Sequence, residues 1–287
     1  MSAIFKREFS SYMHNVTGPL FIGMLLLFEG VLVTLFNLYG QFSDFGYPMT
    51  YLQYVLIFAI PVLAMRSLAE DKRTRVDQLL YSLPISLSEV VVGKYLAMLA
   101  VFAIPCGVIA LYPLLLGFFG PINYATAYCS LLAFFLLGAA LLALCMFLSS
   151  LTESQIIAAV IGVACVLLVF LLDTIAILVP TGALASFIAM LVLVVALALL
   201  LWALTKNIRL SAVIGGVVII AMTVVYFVNS ALYAGLFRDV INALSLFGRF
   251  ANFNYGILDV GTLIYDASFI VFFLYLTYQA LEKRRWS

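Results

Sequence analysis

The stretch from Arg66 to Lys94 reads RSLAEDKRTRVDQLLYSLPISLSEVVVGK, and long apolar segments lie on both sides of it. It contains five of the fourteen basic residues and four of the thirteen acidic residues of a 287-residue chain. Because the chain is 66% hydrophobic and only 9% charged, this concentration of charge indicates a loop outside the apolar segments. We interpret it as a cytoplasmic loop, folded as a short helix, that contacts another protein at the membrane face.

The composition around this loop is that of a membrane protein. Mean hydropathy is +1.22, aromatic residues make up 15% of the chain, and apolar runs of eighteen or more residues recur. The four cysteines lie inside apolar runs without CxxC spacing, so we predict no metal site and no cofactor. A net charge of +1 gives no reason to expect a nucleic-acid partner. We predict an all-α, polytopic membrane protein with one transmembrane domain over residues 1–287.

The apolar segments predict about eight transmembrane helices. The weakest assignment concerns the sixth and seventh segments, which only six residues separate, so six spans with a re-entrant hairpin remain an alternative. The eight segments are 19–39, 48–66, 89–117, 124–148, 156–179, 184–204, 211–232 and 260–281.

The distribution of basic residues predicts the orientation. With eight spans, twelve of the fourteen basic residues lie on the side of the N-terminus, and only Arg238 and Arg249 lie on the other. Cytoplasmic loops carry an excess of Lys and Arg, so both termini are predicted to face the cytoplasm, with the protein in the cytoplasmic membrane. The twelve are Lys6, Arg7, Arg66, Lys72, Arg73, Arg75, Lys94, Lys206, Arg209, Lys283, Arg284 and Arg285.

The charged loop itself has helical periodicity. Its apolar residues recur at i, i+3, i+4 and i+7, which places them on one face of a helix: Val76, Leu79, Leu80 and Leu83. Pro84 ends this helix, and Ser86 to Glu89 form a capping box that opens the next span. A short helix followed by a sharp turn would pass a push from a partner into the adjoining spans. The alternative is a solvated loop that only sets the topology.

Two further segments are predicted to lie at the membrane surface. In residues 1–16, aromatic side chains at helical spacing predict an interfacial helix, with a loose polar tail as the alternative. In residues 237–258, an apolar stripe followed by three phenylalanines predicts an exterior segment that is either re-entrant or interfacial. Both segments are too polar or too broken to span a bilayer.

Glu29 lies about ten residues inside the first span. An ionisable side chain at that depth is costly and indicates a functional position. We predict that Glu29 lies in a transport path or at a subunit interface, with neutralisation by protonation against a neighbouring hydroxyl as the alternative.

The charged loop and the last span resemble a known family, the permease subunits of type-2 ABC transporters. The resemblance is carried by residues 70–80, by Ser82-Leu83-Pro84 and by Val92-Gly93-Lys94, and at the other end by Gly256-Ile257-Leu258-Asp259 and residues 281–285. It is closest to the gliding-motility-type and nitrous-oxide-reductase-maturation-type permeases. Members of that group have six spans, so the resemblance implies a two-helix insertion at roughly 184–236. The group often has Gly-Thr where this chain has Arg73-Thr74.

The resemblance implies a function. It identifies residues 1–16 as an elbow helix and residues 69–84 as the coupling helix that binds a separate ATP-binding subunit. The residues assigned to coupling are Glu70, Arg73, Arg75, Val76, Asp77, Leu79, Leu80, Leu83 and Pro84. The implied assembly also contains a second permease copy or a homologous permease, and the implied direction is export.

The chain lacks a G-x-x-x-x-G-K-[ST] loop, so we predict that it is not an enzyme and that a partner hydrolyses ATP. The alternative function is a membrane scaffold that docks an ATPase-linked complex without moving a solute. Few buried charges favour a lipid, a peptide or an amphiphile as the substrate.

Overall fold

The structure, a computed structural model, describes residues 2–75, 86–179, 181–205, 208–254, 256 and 259–285. All regular secondary structure in these ranges is helical, which confirms the prediction of an all-α protein. Contacts between residues divide the chain into two compact units. Unit 1 comprises Met1–Val169 and Leu246–Ser287, and unit 2 comprises Phe170–Ser245.

The helices follow one another in the order expected from the apolar segments. They are α1 (Ser2–His14), α2 (Thr17–Val33), α3 (Gly46–Ala64), α4 (Ala69–Arg73), α5 (Leu87–Ile109), α6 (Tyr112–Leu116), α7 (Tyr124–Leu151), α8 (Gln155–Leu178), α9 (Ala183–Thr205), α10 (Ile208–Val228), α11 (Leu236–Leu244), α12 (Phe247–Asn254) and α13 (Val260–Arg285). A π-helical stretch, Thr34–Tyr39, continues α2, and a 3-10 helix, Ser230–Tyr233, follows α10.

Seven stretches within the described ranges are long and apolar enough to cross a membrane, which confirms a polytopic membrane protein. They are Thr17–Tyr39, Gly46–Arg73, Leu87–Leu116, Tyr124–Leu151, Gln155–Leu178, Ser211–Val228 and Val260–Arg284. Helix α9 lies at the sixth predicted span, but its apolar part, Ala183–Leu199, is shorter than the others. The count of eight spans, like the orientation, therefore stays a prediction.

Helix α7 is the centre of unit 1. It packs against α3, α5, α12 and α13, and every residue from Leu137 to Met146 is buried, so the helix is enclosed on all sides over this length. Small residues allow the neighbouring helices to come close. Gly138 of α7 lies directly against the ring of Phe102 on α5, and a methyl group added at Gly162 of α8 would lie 3.0 Å from Cβ of Pro61 on α3.

The exterior segment predicted at 237–258 is divided between the two units. Helix α11 belongs to unit 2 and α12 to unit 1. In unit 1, α12 packs on α7 and α3, and its three phenylalanines, Phe247, Phe250 and Phe253, are each no more than 4% exposed. Their burial makes α12 an integral part of unit 1.

Unit 2 consists mainly of an apolar hairpin. Helices α9 and α10 pack against each other, and α11 packs against α9. The unit covers the two-helix insertion that the resemblance placed at roughly 184–236. The short links after α8 and between α9 and α10 contain Pro180, Lys206 and Asn207, which lie outside the described residues.

Candidate functional site

A buried lysine organises one end of unit 1. Lys94 lies in the second turn of α5, about 10 Å from the start of the helix, and is 1% exposed. Its Nζ atom lies 2.8 Å from Oδ2 of Asp71 on α4 and 3.0 Å from Oε1 of Glu8 on α1. It also donates a hydrogen bond of 2.8 Å to the carbonyl oxygen of Ser67. One ammonium group therefore connects α1, α4 and α5 with the turn after α3.

A second ion pair lies beside Lys94. Arg66 donates to both carboxylate oxygens of Glu70, over 2.8 Å from Nε and 3.1 Å from Nη2. Its Nη1 donates to Oγ1 of Thr17, the first residue of α2, over 2.9 Å. Such two-point contacts hold the guanidinium plane in one orientation. We call Glu8, Arg66, Glu70, Asp71 and Lys94 the polar cluster.

The charges of the polar cluster act on Glu8. Burial by itself raises the pKa of the Glu8 carboxyl group. Lys94 and the hydrogen-bonded Arg7 outweigh that effect, so the pKa of Glu8 lies below its usual range. Glu8 is therefore ionised at neutral pH and contributes a full negative charge beside Lys94. Arg7 Nη2 lies 2.6 Å from Glu8 Oε1.

Helix α4 is attached to the end of α7. The N–H groups of Leu68 and Ala69, at the start of α4, donate to Oγ of Ser149 over 3.3 and 3.1 Å. The same hydroxyl donates to the carbonyl of Met65 over 3.2 Å, so its hydrogen-bonding capacity is used fully. In return, Nζ of Lys72 donates to the carbonyl of Ser150 in the last turn of α7. A serine from another helix thus caps α4, which has no local side-chain cap.

An open cleft of about 330 Å³ lies between α1 and α4. Its walls carry both signs of charge and three hydroxyl groups. The lining residues are Arg7, Glu8, Ser11, Tyr12, Arg66, Glu70, Asp71 and Thr74. The hydroxyl of Tyr12 donates to the carbonyl of Leu63 over 3.4 Å, and burial raises the pKa of this phenol. The cleft is therefore a polar surface, and the hydrogen bond from Tyr12 to Leu63 connects it to α3.

The structure describes three of the nine residues assigned to coupling. Glu70 belongs to the polar cluster, whereas Arg73 and Arg75 are exposed at the end of α4. Helix α4 ends at Arg73, and Arg75 has a φ of 58°, so the segment 69–84 is not one continuous helix from its start. The apolar stripe and its end lie outside the described residues: Val76, Asp77, Leu79, Leu80, Leu83 and Pro84.

The far end of this segment is also anchored. Oγ of Ser86 accepts a hydrogen bond of 3.3 Å from the N–H of Glu89, so the predicted N-cap of α5 is confirmed. Lys94 lies in the following turns of the same helix. Both ends of the segment 76–85 therefore continue into helices that Lys94 holds together.

Sequence reasoning missed the centre of this site. Lys94 lay five residues inside a predicted span, and a basic residue there is costly enough to indicate a functional or paired position. That signal was available for Lys94 as it was for Glu29. The pairing with Glu8 joins positions 86 residues apart, and the cap by Ser149 joins positions about 80 residues apart. Neither pairing has a local signature in the sequence.

Glu29 shows the opposite situation. It lies on the buried face of α2 with Phe21, Leu25 and Val33, and it is fully buried. Neither carboxylate oxygen has a hydrogen-bond partner among the residues that the structure describes. Helix α2 packs here against α3 and α5, and the hydroxyl of Tyr112 lies 4.0 Å from where a methyl group on Gly30 would be. Glu29 is therefore enclosed by apolar helices.

The arrangement offers a mechanical connection between helices and a group of buried charges. In the described part of the chain, no three His, Cys, Asp or Glu side chains are grouped as a metal ion would require. What the polar cluster does is hold four helices at one end of unit 1.

Comparison with known proteins identifies the family. A model described as "ABC-2 family transporter protein" matches residues 29–187. The match begins at Glu29, includes the whole charged loop and ends in α9. A search of curated proteins found no match. Because the model covers more than half of the chain and seven described stretches could cross a membrane, this multi-pass protein belongs to the ABC-2 transporter family and is a membrane permease component of an ABC transporter.

Proposed function

We propose that this chain is the permease subunit of an ATP-driven exporter, and that it receives the power stroke of a separate ATP-binding subunit through residues 69–84. The family match supports the permease role. The observation that carries the coupling role is the buried Lys94, which ties the start of this segment to α1 and α5. The direction of transport and the branch of the family, of gliding-motility or nitrous-oxide-reductase-maturation type, follow from the resemblance of the charged loop and the last span.

The proposed orientation places both termini and the polar cluster in the cytoplasm of a cell whose cytoplasmic membrane holds the protein. Twelve of fourteen basic residues then lie inside, in agreement with the usual excess of Lys and Arg in cytoplasmic loops. In this orientation α1 is the elbow helix at the inner interface. The segment 76–84 faces the compartment that contains ATP.

The coupling role follows from how the segment is attached. A partner that pushes on the residues between Arg75 and Ser86 moves α4 at one end and α5 at the other. Helix α4 cannot move alone, because Ser149 and Lys72 attach it to α7 and Asp71 attaches it to Lys94. The push is therefore shared by α5 and α7, two of the helices that form the core of unit 1.

Glu29 is proposed to lie in the path that the substrate takes, or at the contact with a second permease copy. A fully buried carboxyl group without a described partner is unfavourable in a closed structure. An open state that exposes it to the substrate or to another subunit would give it the polar partner that it lacks here. The first helix, which changes from α to π geometry after Val33, is suited to such a change of packing.

The docking surface is tested by replacing Leu79 and Leu80 with Asp. We expect the variant to insert into the membrane but to lose the ATP-binding subunit during co-purification, because the apolar stripe is the proposed contact. Val16→Asp is the matched control, since Val16 is an apolar residue, 75% exposed, at the same end of unit 1 but outside the segment. Equal recovery of the partner with both variants would reject the docking surface.

A second measurement separates transport from a scaffold role. Purified permease with its ATP-binding subunit is reconstituted into vesicles, and ATP hydrolysis is measured with candidate lipids, peptides and amphiphiles. A transporter shows hydrolysis that a transported solute stimulates, and the solute crosses the membrane. A scaffold retains the ATP-binding subunit but shows neither response.

The orientation is tested with reporter fusions at Ser2, Arg75 and Ser287. All three are expected to report a cytoplasmic position. A single exterior position among them would overturn the topology and, with it, the cytoplasmic location of the polar cluster.

A further inference from the structure

Unit 2 contains a groove between α9 and α10 that the permease role does not use. At one end of the hairpin the two helices are joined by aromatic rings: Phe187 and Tyr226 stack with centroids 4.4 Å apart. Toward the other end they touch at a glycine, where a methyl group added at Gly215 would lie 2.9 Å from Cβ of Ala198. Beside this contact the helices leave an open groove of about 390 Å³.

The wall of the groove is apolar apart from one side chain. The residues that line it are Val195, Ala198, Leu199, Ile208, Ser211, Ala212, Gly215, Gly216 and Ile219. A methyl group added at Gly216 would meet no atom within 4 Å, so this glycine borders empty space. The bulky residues Leu199 and Ile208 are more than half exposed and form part of the rim. The groove therefore opens on the outside of the hairpin.

Ser211 is the exception to the apolar lining. It is 3% exposed, and its hydroxyl oxygen has no hydrogen-bond partner within the part of the chain that the structure describes. A buried hydroxyl that makes no hydrogen bond is unfavourable, more so in a region without water. This hydroxyl is therefore available to donate a hydrogen bond to an acceptor atom of a ligand in the groove.

The dimensions of the groove favour a hydrocarbon chain over a helix. Helices α9 and α10 are in contact at Gly215, and a third helix with its side chains is about 10–12 Å wide. Such a helix can lie across the rim but cannot enter a cleft between two touching helices. A single acyl chain is narrow enough to lie against the bare backbone of Gly215 and Gly216.

The position of Ser211 identifies the rest of the ligand. Ser211 is the fourth residue of α10, so it lies at the end of an apolar helix, where the polar part of a lipid begins. Its hydroxyl can donate to the ester carbonyl that joins an acyl chain to glycerol, while the chain runs past Gly215 and Gly216 toward Ile219. We propose that this groove binds one acyl chain of an ester-linked phospholipid, with Ser211 donating a hydrogen bond to the ester carbonyl.

The proposal is independent of the permease function. Helix α10 lies beyond residues 29–187, the part of the chain that the family model matches. The site would therefore belong to the inserted unit of this chain, and a failure of the coupling proposal would leave it unaffected.

The proposal is tested by native mass spectrometry of the full chain, delipidated in mild detergent and titrated with dioleoyl-phosphatidylcholine or its ether-linked analogue, which has no ester carbonyl. The wild type is expected to bind one ester lipid about fivefold more tightly than the ether lipid, the effect of one hydrogen bond. In Ser211→Ala this preference should disappear. Gly216→Leu fills the groove and should abolish binding of the ester lipid, whereas Val217→Leu, on an exposed face of α10 outside the groove, should bind it like the wild type.

Equal binding of the two lipids by the wild type would overturn the proposal. The proposal would also be overturned if the Gly216→Leu variant bound the ester lipid as tightly as the Val217→Leu variant. If Gly216→Leu instead changes the oligomeric state and leaves binding of the ester lipid unchanged, the groove is a contact between copies of the chain and the proposal is wrong. Should Gly216→Leu fail to fold, the comparison of ester and ether lipids with Ser211→Ala decides alone.

Discussion

Lys94 and Glu29 are both buried ionisable residues on apolar helices of unit 1, and their surroundings differ completely. Lys94 has two carboxylates and a carbonyl oxygen within 3.0 Å. Glu29 has no partner for either carboxylate oxygen among the described residues. A charge with a full set of partners holds a structure together, whereas a buried carboxyl group without partners is a candidate for a functional position.

In the proposed function, this difference separates two roles in space. The region around Lys94 joins α1, α4 and α5 with the turn after α3. The region around Glu29 lies in the first span, where tight packing has no polar compensation. In our proposal the first region transmits force and the second responds to it.

Replacing Lys94 with Met gives the largest expected effect and tests whether Lys94 holds the polar cluster together. The variant removes the cation that Glu8 and Asp71 share and leaves only the more exposed Arg7 beside Glu8, which should lower the free energy of unfolding by about 3–5 kcal/mol. Thermal or denaturant unfolding in mild detergent measures it. Arg7→Met is the control: Arg7 also pairs with Glu8, but its side chain is 49% exposed, so the expected loss is below about 1 kcal/mol. Equal losses for both variants would show that Lys94 is not the organising residue.

Replacing Glu29 tests whether this buried carboxyl group has a functional role and no structural partner. Glu29→Leu removes a buried group without partners and should raise the free energy of unfolding by about 1–3 kcal/mol. Glu29→Gln should remain folded and bound to the ATP-binding subunit, while substrate-stimulated ATP turnover changes. Unchanged turnover in both variants would make Glu29 a packing residue. A stability loss like that of Lys94→Met would show that Glu29 does have a structural partner.

Removing the Ser149 hydroxyl, which caps α4, should have a smaller effect and tests how firmly α4 is attached to α7. Ser149→Ala leaves two buried N–H groups without an acceptor, which should lower the free energy of unfolding by about 1–2 kcal/mol. The neighbouring Ser150→Ala is the control, because in the described part of the chain its hydroxyl bonds to Phe147 of its own helix and to no other helix. Cysteine pairs placed on α4 and α7 would report whether the two helices separate. Indistinguishable variants would contradict the attachment of α4 to α7 through Ser149.

The smallest expected effect is a dependence on pH. The pKa of Glu8 is lower in the folded protein than its usual value of about 4.3, so its stabilising contribution is complete above that value. It is lost as the pH falls through the lower, folded-state pKa. At pH 7, Glu8→Gln should therefore unfold more easily, by about 1 kcal/mol or less, because Asp71 and Ser67 still pair with Lys94.

Unfolding measured from pH 7 to pH 3 checks this sign. The difference between the wild type and Glu8→Gln should shrink as acid is added. Glu153→Gln, which breaks the more exposed ion pair with Arg284, is the control. A difference that grows in acid would mean that Glu8 is not held ionised by the cluster.

Local patterns in the sequence were sufficient for the helices but not for their polar contacts. Apolar runs located the spans, and the serine before α5 correctly predicted its cap. The prediction of one helix over 69–84 did not anticipate the left-handed conformation of Arg75. Glycine is the usual sequence signal for a positive φ, and this position is an arginine. The partners of Lys94 come from the first helix and from the turn after α3, so they depend on tertiary packing. Glu29 was found because its cost in an apolar helix is itself a local signal.

Lys94 ties the start of residues 69–84 to the third predicted span through its ion pair with Asp71. A double-mutant cycle with Lys94→Met and Asp71→Asn, read as free energies of unfolding in mild detergent, tests this connection directly. We expect strong coupling, with the double variant less destabilised than the sum of the single variants by about 1–3 kcal/mol. Changes that add to within about 0.5 kcal/mol would show that the two residues act independently and that Lys94 does not hold α4 to α5 through Asp71.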